Sequence, residues 1–209
     1  MGEAELRRCI LGGNATLLLV VTAVVAAFVY VPPAQKVAES EYLRIGSIVA
    51  GFVSLALLLL SVSAFKSHAY QRFVFVFVGL AMTALLIVAT TYTSSKAVVV
   101  ASLIAAAVLT SVAALVGASV DSASSMGPAL FGGMFLFLFG LLMSFFLHAH
   151  WFEVVVSTFG VALFTGLSVY EANEFIRQRR CRHSCCEEGV FSLFQNFVNL
   201  AVNLFNITS

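Results

Sequence analysis

Seven apolar runs, each close to the length that carries a helix across a bilayer, leave this chain few folds to choose from. They cover residues 10–31, 45–64, 73–92, 97–118, 129–147, 152–171 and 189–205. A charge, a proline or a polar cluster bounds each. A helix needs about 20 apolar residues to cross, so seven such runs take up most of the 209 residues and leave no room for a soluble domain. Backbone in lipid must bond to itself, and runs of this length do so as helices rather than as barrel strands. The expected fold is therefore an all-α integral membrane protein. It is a single seven-transmembrane-helix bundle over residues 1–209, with a short, polar last helix. That last run sits at the lower length limit, and a re-entrant segment is its alternative.

Composition agrees. Hydrophobic residues make up 61% of the chain and charged residues 10%, where an ordinary soluble domain carries about 25% charged. A net charge of +1 excludes a broad nucleic-acid footprint. The first run follows Arg7-Arg8 as a signal sequence would. It is longer than a signal core of about 7–15 residues, and it enters Pro32-Pro33 without a clear cleavage site. It reads as a retained first span.

Orientation follows the basic residues. With a cytosolic N-terminus, the inside holds Arg7, Arg8, Lys66, Arg72, Arg177, Arg179, Arg180 and Arg182, and the outside holds Lys36, Arg44 and Lys96. The C-terminus is then luminal or extracellular. In this topology Cys9, Cys181, Cys185 and Cys186 all lie in the reducing cytosol, where disulfides are not expected. The Cys181 to Cys186 stretch matches no standard zinc spacing. Palmitoylation of these juxtamembrane cysteines is one reading; free thiols in a solvated loop is the other. Two sequons are present, at Asn14 and Asn206. The first lies inside a span, and the second hugs the membrane.

Polar side chains in hydrocarbon are costly and are functional candidates by default. The first five spans hold mainly small ones: Ser54, Ser61, Thr83, Thr110, Ser111 and Ser144, with Gly132-Gly133 and Gly140. Helix packing accounts for these. The Phe-rich stretch 131–146 reads as lipid-facing or core bulk. His148, His150 and Trp151 read as interfacial rings.

The last two spans differ. Glu171 stands one residue past the apolar part of the sixth. It is either a helix-end carboxylate that snorkels or pairs with a loop arginine, or part of a site. Glu174, three residues on and on the same face, is a further candidate for the ion path or pH sensor, although it is expected in water. In the seventh span Ser192, Asn196, Asn199 and Asn203 are spaced four, three and four, with Gln195 beside them. That spacing draws one stripe along a helix. The stripe is either interhelical amide glue or the lining of a polar path toward Glu171.

At these residues the chain resembles the transmembrane Bax inhibitor motif family. The family's sixth span ends in Tyr-Asp, here Tyr170-Glu171. Its last span runs approximately Leu-Tyr-Leu-Asp-Phe-Ile-Asn-Leu-Phe, here Leu193-Phe194-Gln195-Asn196-Phe197-Val198-Asn199-Leu200-Ala201. The stretch from Leu109-Thr110 to Val116, the pair Val120-Asp121 and the segment Gly127 to Phe131 are similar to the middle of the family pattern. Lys66-Ser67-His68-Ala69 is similar to its basic-His-Pro turn, with the proline lost. The resemblance implies a seven-helix fold in endomembranes, such as the endoplasmic reticulum or Golgi, and a pH-sensitive calcium leak with a cytoprotective, anti-apoptotic role. It implies an aspartate pair as sensor, one acid on each of the last two spans. Two close carboxylates share a proton and attract a hard cation.

Here Glu171 keeps one acid, as the position for calcium, and Asn196 replaces the other with a group that cannot ionise. Weakened calcium affinity and weakened pH gating are expected. Drift of this kind suggests a divergent member. Large DNA viruses carry copies of the family, and in that setting the activity would be that of a viroporin. The other reading is a non-conducting membrane protein that binds cell-death or trafficking partners. Calcium is expected only as a transported ion, with no cofactor. No His-Glu-x-x-His, nucleophile elbow or Gly-rich phosphate loop occurs in the chain, so an enzyme is not expected.

Overall fold

The structure, a computed structural model, describes residues 2–63, 68–91, 95–147, 149–178 and 185–208, with the side chains at 52, 55–63, 68–72, 145, 178 and 185 left aside. The described residues are mostly helical, and none of them is in a strand. The helices are α1 (Glu3–Tyr30), α2 (Pro32–Ala38), α3 (Glu41–Ser63), α4 (His68–Thr91), α5 (Lys96–Ser119), α6 (Gly127–Leu147), α7 (His150–Asn173) and α8 (Cys185–Thr208). Among the described residues, six stretches are long and apolar enough to cross a membrane: Glu3–Tyr30, Phe73–Thr91, Lys96–Ser119, Ser124–Ser144, His150–Arg177 and Cys186–Thr208. The remaining expected span, 45–64, falls on α3, whose side chains beyond Ser54 lie outside the described residues.

The last run is one continuous helix of 24 residues, about 36 Å long at 1.5 Å per residue. That is long enough to cross a bilayer. It starts before the expected boundary because Glu187 and Glu188 occupy its first turn, where carboxylates complement the helix dipole. The short α2 was not expected. Pro32 and Pro33 stand at its first positions, where the missing N–H costs nothing and the fixed φ suits a helix.

The Cα positions cluster into two compact units, residues 20–100 and residues 1–19 with 101–209. In the first, α3 packs along α4. Gly51 meets the Leu85 side chain, with only 3.2 Å left for a Cβ. Beyond them, Lys96 Nζ donates to Gln35 Oε1 at 3.0 Å.

The second unit is built on α7, which packs along α8 on one side and α6 on the other. Leu6, Ile10, Ala114, Ala118, Ala172, Ile176 and Leu193 form a buried cluster that joins α1, α5, α7 and α8. In lipid, apolar area alone does not drive helices together; close van der Waals fit does. Small residues provide that fit at the α6–α7 contact. A Cβ on Gly133 would lie 2.9 Å from Leu163, one on Gly140 3.1 Å from Val156, and one on Gly166 3.0 Å from Leu130. Gly133 and Gly140 thus pack as expected, whereas Gly132 has open space around it. Gly133→Leu is therefore expected to lower the melting temperature in detergent by several degrees, and Gly132→Ala to leave it unchanged. Differential scanning fluorimetry checks the pair.

Thr83, Thr110 and Ser144 each return a hydroxyl hydrogen bond to the carbonyl four residues back, at 2.8, 2.8 and 3.0 Å, which satisfies the group inside its own helix. Phe131, Phe135, Phe139 and Phe146 are exposed along α6, as lipid-facing rings would be. Trp151 is exposed at the start of α7. Lys66, Ser67, His148 and Cys181, and the side chains of Ser61, His68 and Cys185, lie outside the described residues.

Candidate functional site between the last two helices

The polar residues singled out on α7 and α8 meet where the two helices face each other. Glu171 Oε2 accepts a hydrogen bond from Asn196 Nδ2 at 2.7 Å. Ser192, one turn earlier on α8, hydrogen-bonds the same carboxylate. Residues four apart share a helix face, so the spacing that suggested a stripe is what lets two donors grip one acid. Asn196 is buried and Glu171 half-buried. Beside them Tyr170 lies over Gly127 at the start of α6, and a Cβ there would come within 3.3 Å of the Tyr170 hydroxyl. Two motifs read separately in the sequence therefore touch.

The stripe does not converge as a whole. Asn203 is buried three turns from that end, against Gly160 of α7. A Cβ on Gly160 would lie 2.5 Å from Asn203 Oδ1 and 2.7 Å from the Phe137 ring. Asn203 Nδ2 donates to the Asn199 carbonyl at 2.8 Å. Gly160 is about 16 Å along α7 from Glu171 at 1.5 Å per residue. Asn199 and Gln195 are half-buried between these points. Ser192 and Asn196 serve the carboxylate, while Asn203 serves helix packing.

Below Glu171 the chain does something the sequence did not signal. After Asn173, α7 widens into a π-helical turn, Glu174–Gln178. That turn packs against α8, and its Ile176 enters the buried cluster. Glu174 was expected in water; it is buried at 6% exposure, because the wider turn stays within the packed end of the unit. π-turns inside α-helices recur at functional sites.

The C-terminus of α5 ends against this turn. A helix leaves its last four carbonyls without partners, and α5 has no basic residue in its own last turn. Partners come from other helices. Asn173 Nδ2 donates to the Gly117 carbonyl at 3.0 Å and to the Val120 carbonyl at 2.7 Å. Its Oδ1 accepts from the Ala123 N–H at 2.9 Å. The Arg7 guanidinium of α1 donates to the Ala118 carbonyl. Arg177 donates to the Ser119 carbonyl at 3.3 Å and pairs with Asp121 at 3.3 Å. Two cations at a helix C-terminus also complement its dipole. Asn173 is fully buried, and three of its polar contacts are met. Sequence reading missed it because an asparagine just past an apolar run looks like an ordinary helix end.

The same end of the unit corrects the expectation for the cysteines. Cys9 and Cys186 form a disulfide, with Cα atoms 5.8 Å apart, inside the range that a disulfide spans. The expectation of free thiols rested on compartment. The geometry rests on Gly189 of α8, where the Ile10 side chain would be 2.9 Å from a Cβ, so α1 and α8 approach closely there. A bonded sulfur is closed to acylation, so palmitoylation at Cys9 and Cys186 requires the reduced form. Asn14 is buried at 1% exposure, out of reach of glycosylation, and Asn206 is exposed at the end of α8. Among the described residues no group of three or more His, Cys, Asp or Glu is placed to hold a metal ion.

These features define a helical membrane protein with a carboxylate gripped between its last two helices. The family model described as inhibitor of apoptosis-promoting Bax1 matches residues 14–209. The chain belongs to that family. No curated protein matched the sequence.

Proposed function

We propose that this protein is a calcium-permeable leak channel, or a regulator of intracellular-store calcium, with a cytoprotective, anti-apoptotic and non-enzymatic role. It acts as a multi-pass protein of an endomembrane, the endoplasmic reticulum or Golgi, with a cytosolic N-terminus and a luminal C-terminus. The observation that carries this reading is the Glu171 carboxylate held between α7 and α8 by Ser192 and Asn196. An acid kept at such a place in a bundle is a functional-site candidate by default, and lining an ion path is one role such acids serve. Family membership supports the cell-death role in general.

Calcium prefers six to eight oxygen ligands, and Glu171 brings one carboxylate. The ion therefore passes rather than resides, and affinity is low. The Asn196 amide already occupies one carboxylate oxygen, which favours the second reading, a non-conducting protein that holds membrane or cell-death partners.

Calcium flux into liposomes carrying the purified protein separates the two. Glu171→Gln is expected to cut flux by about tenfold, the factor that 1.4 kcal/mol gives. Wild-type flux is expected to change little between acidic and neutral pH. Asn196→Asp restores a second acid and is expected to make that change steep. Wild-type flux no greater than that of empty liposomes decides for the non-conducting reading. A steep wild-type pH response lost in Glu171→Gln overturns the weakened sensor.

A further inference from the structure

We propose that the Cys9–Cys186 bond is a thiol-exchange site, and that its reduction by a low-molecular-weight thiol or dithiol releases the start of α1 from α8. Cys9 is exposed and Cys186 half-buried, so a small thiolate can reach a sulfur. The bond joins positions 177 residues apart in sequence. It therefore ties together two helices that no short loop connects.

The surroundings show what the tie holds. Ile10 sits against Gly189, and Gly13 against Val190. Leu6 and Ile10 share the buried cluster with Ala118, Ile176 and Leu193. Two residues before Cys9, Arg7 caps the Ala118 carbonyl at the end of α5. The first turns of α1 are thus a strap across the end of α5 and the start of α8. Ser192 and Asn196 lie about 9 and 15 Å along α8 from Cys186 at 1.5 Å per residue, so the strap anchors the same end of the helix that grips Glu171.

The exchange balances with a dithiol as reductant. One thiolate attacks a sulfur of the pair, the S–S bond breaks, and a mixed disulfide forms as one cysteine leaves as thiolate. The second thiol of the reductant then displaces the other cysteine. The reductant becomes a cyclic disulfide, and two electrons and two protons pass to Cys9 and Cys186. Once free, the start of α1 is held by the glycine contacts, the apolar cluster and the Arg7 bond. A terminal helix held this way opens more often than one that is covalently tied. Loosening it relaxes the start of α8 and the Asn196–Glu171 contact. That final consequence for conduction rests on the proposed channel function.

The test uses the full-length protein, purified without reductant and with free thiols blocked. Mass spectrometry is expected to find a Cys9–Cys186 linked peptide. On adding dithiothreitol, hydrogen exchange across residues 3–13 is expected to rise about tenfold, as for a segment that frays, while α6 stays unchanged. Cys9→Ser and Cys186→Ser are each expected to match the reduced wild type and to ignore the reductant. Linkage of Cys9 to Cys185 or Cys181, two free thiols, or exchange indifferent to reduction overturns the proposal. Wild-type reduction needs no variant, so a variant that misfolds does not rescue it. Liposome flux is measured on the same samples. Exchange that responds while flux never exceeds that of empty liposomes leaves the strap standing and overturns the channel reading.

Discussion

Asn173→Ala is expected to lower the unfolding free energy in detergent by roughly 3–5 kcal/mol, since each buried polar group stripped of its partner costs about 1–3 kcal/mol. The substitution removes one amide and strands three groups: the carbonyls of Gly117 and Val120 and the N–H of Ala123. The site is fully buried, so water does not replace the lost bonds without opening the end of α5. Asn173→Asp is the sharper variant. It keeps the shape but exchanges a donor that serves two carbonyls for an acceptor that faces them. The loss is expected to equal or exceed that of alanine. Arg177→Ala, by contrast, breaks a bond to the Ser119 carbonyl and a pair with the exposed Asp121, and an exposed pair contributes about 0–1 kcal/mol. Unfolding by denaturing detergent, followed by circular dichroism, ranks the three. Equal losses for Asn173→Ala and Arg177→Ala sink the idea that the buried amide is the main cap of α5.

The ranking bears on what a sequence can disclose. The long helices were legible because a bilayer imposes one length and one polarity on each. Their ends were less so. Glu187 and Glu188 look like a polar boundary, yet they open α8. The prolines at 32 and 33 look like a break, yet they start α2. Glu171, Ser192 and Asn196 were legible because an acid and a file of amides stand out against hydrocarbon, and their spacing placed the amides on one face. What each group touches was not. Asn203 lies on the same file as Asn196, but Gly160 claims it. Asn173 finds its partners more than fifty residues away, and no local pattern points to them. The burial of Glu174 depends on a π-turn packed against α8, which no local pattern announces. Cys9 and Cys186 were placed on one face of the membrane by the alternation of spans. Compartment then argued against their bond, while the close approach of α1 and α8 allows it.

Gly117→Ala is expected to be highly disruptive for a single added methyl. A Cβ at that position collides with the Val169 backbone carbonyl of α7 and stands 3.0 Å from both the Val169 carbonyl carbon and the Ala172 Cβ. A flexible side chain could swing aside; a backbone carbonyl inside a helix cannot, so α5 and α7 must separate. Overpacking a well-filled contact typically costs about 1–3 kcal/mol, and more when backbone has to move. The cost here is expected at or above the top of that range. The Gly117 carbonyl is also the one that Asn173 holds at 3.0 Å, so the shift that relieves the clash stretches the cap. Gly117→Ala and Asn173→Ala therefore damage one contact by two routes. Their double variant is expected to lose less than the sum of the singles, by the 0.5–3 kcal/mol that coupled neighbours typically show. Val169 and Glu171 are two residues apart on α7, so displacing that segment also moves the carboxylate relative to Asn196. Calcium flux of Gly117→Ala should accordingly fall toward that of Glu171→Gln even at temperatures where the protein stays folded. Additive stability losses together with wild-type flux in Gly117→Ala would show that the α5–α7 contact is separate from the site.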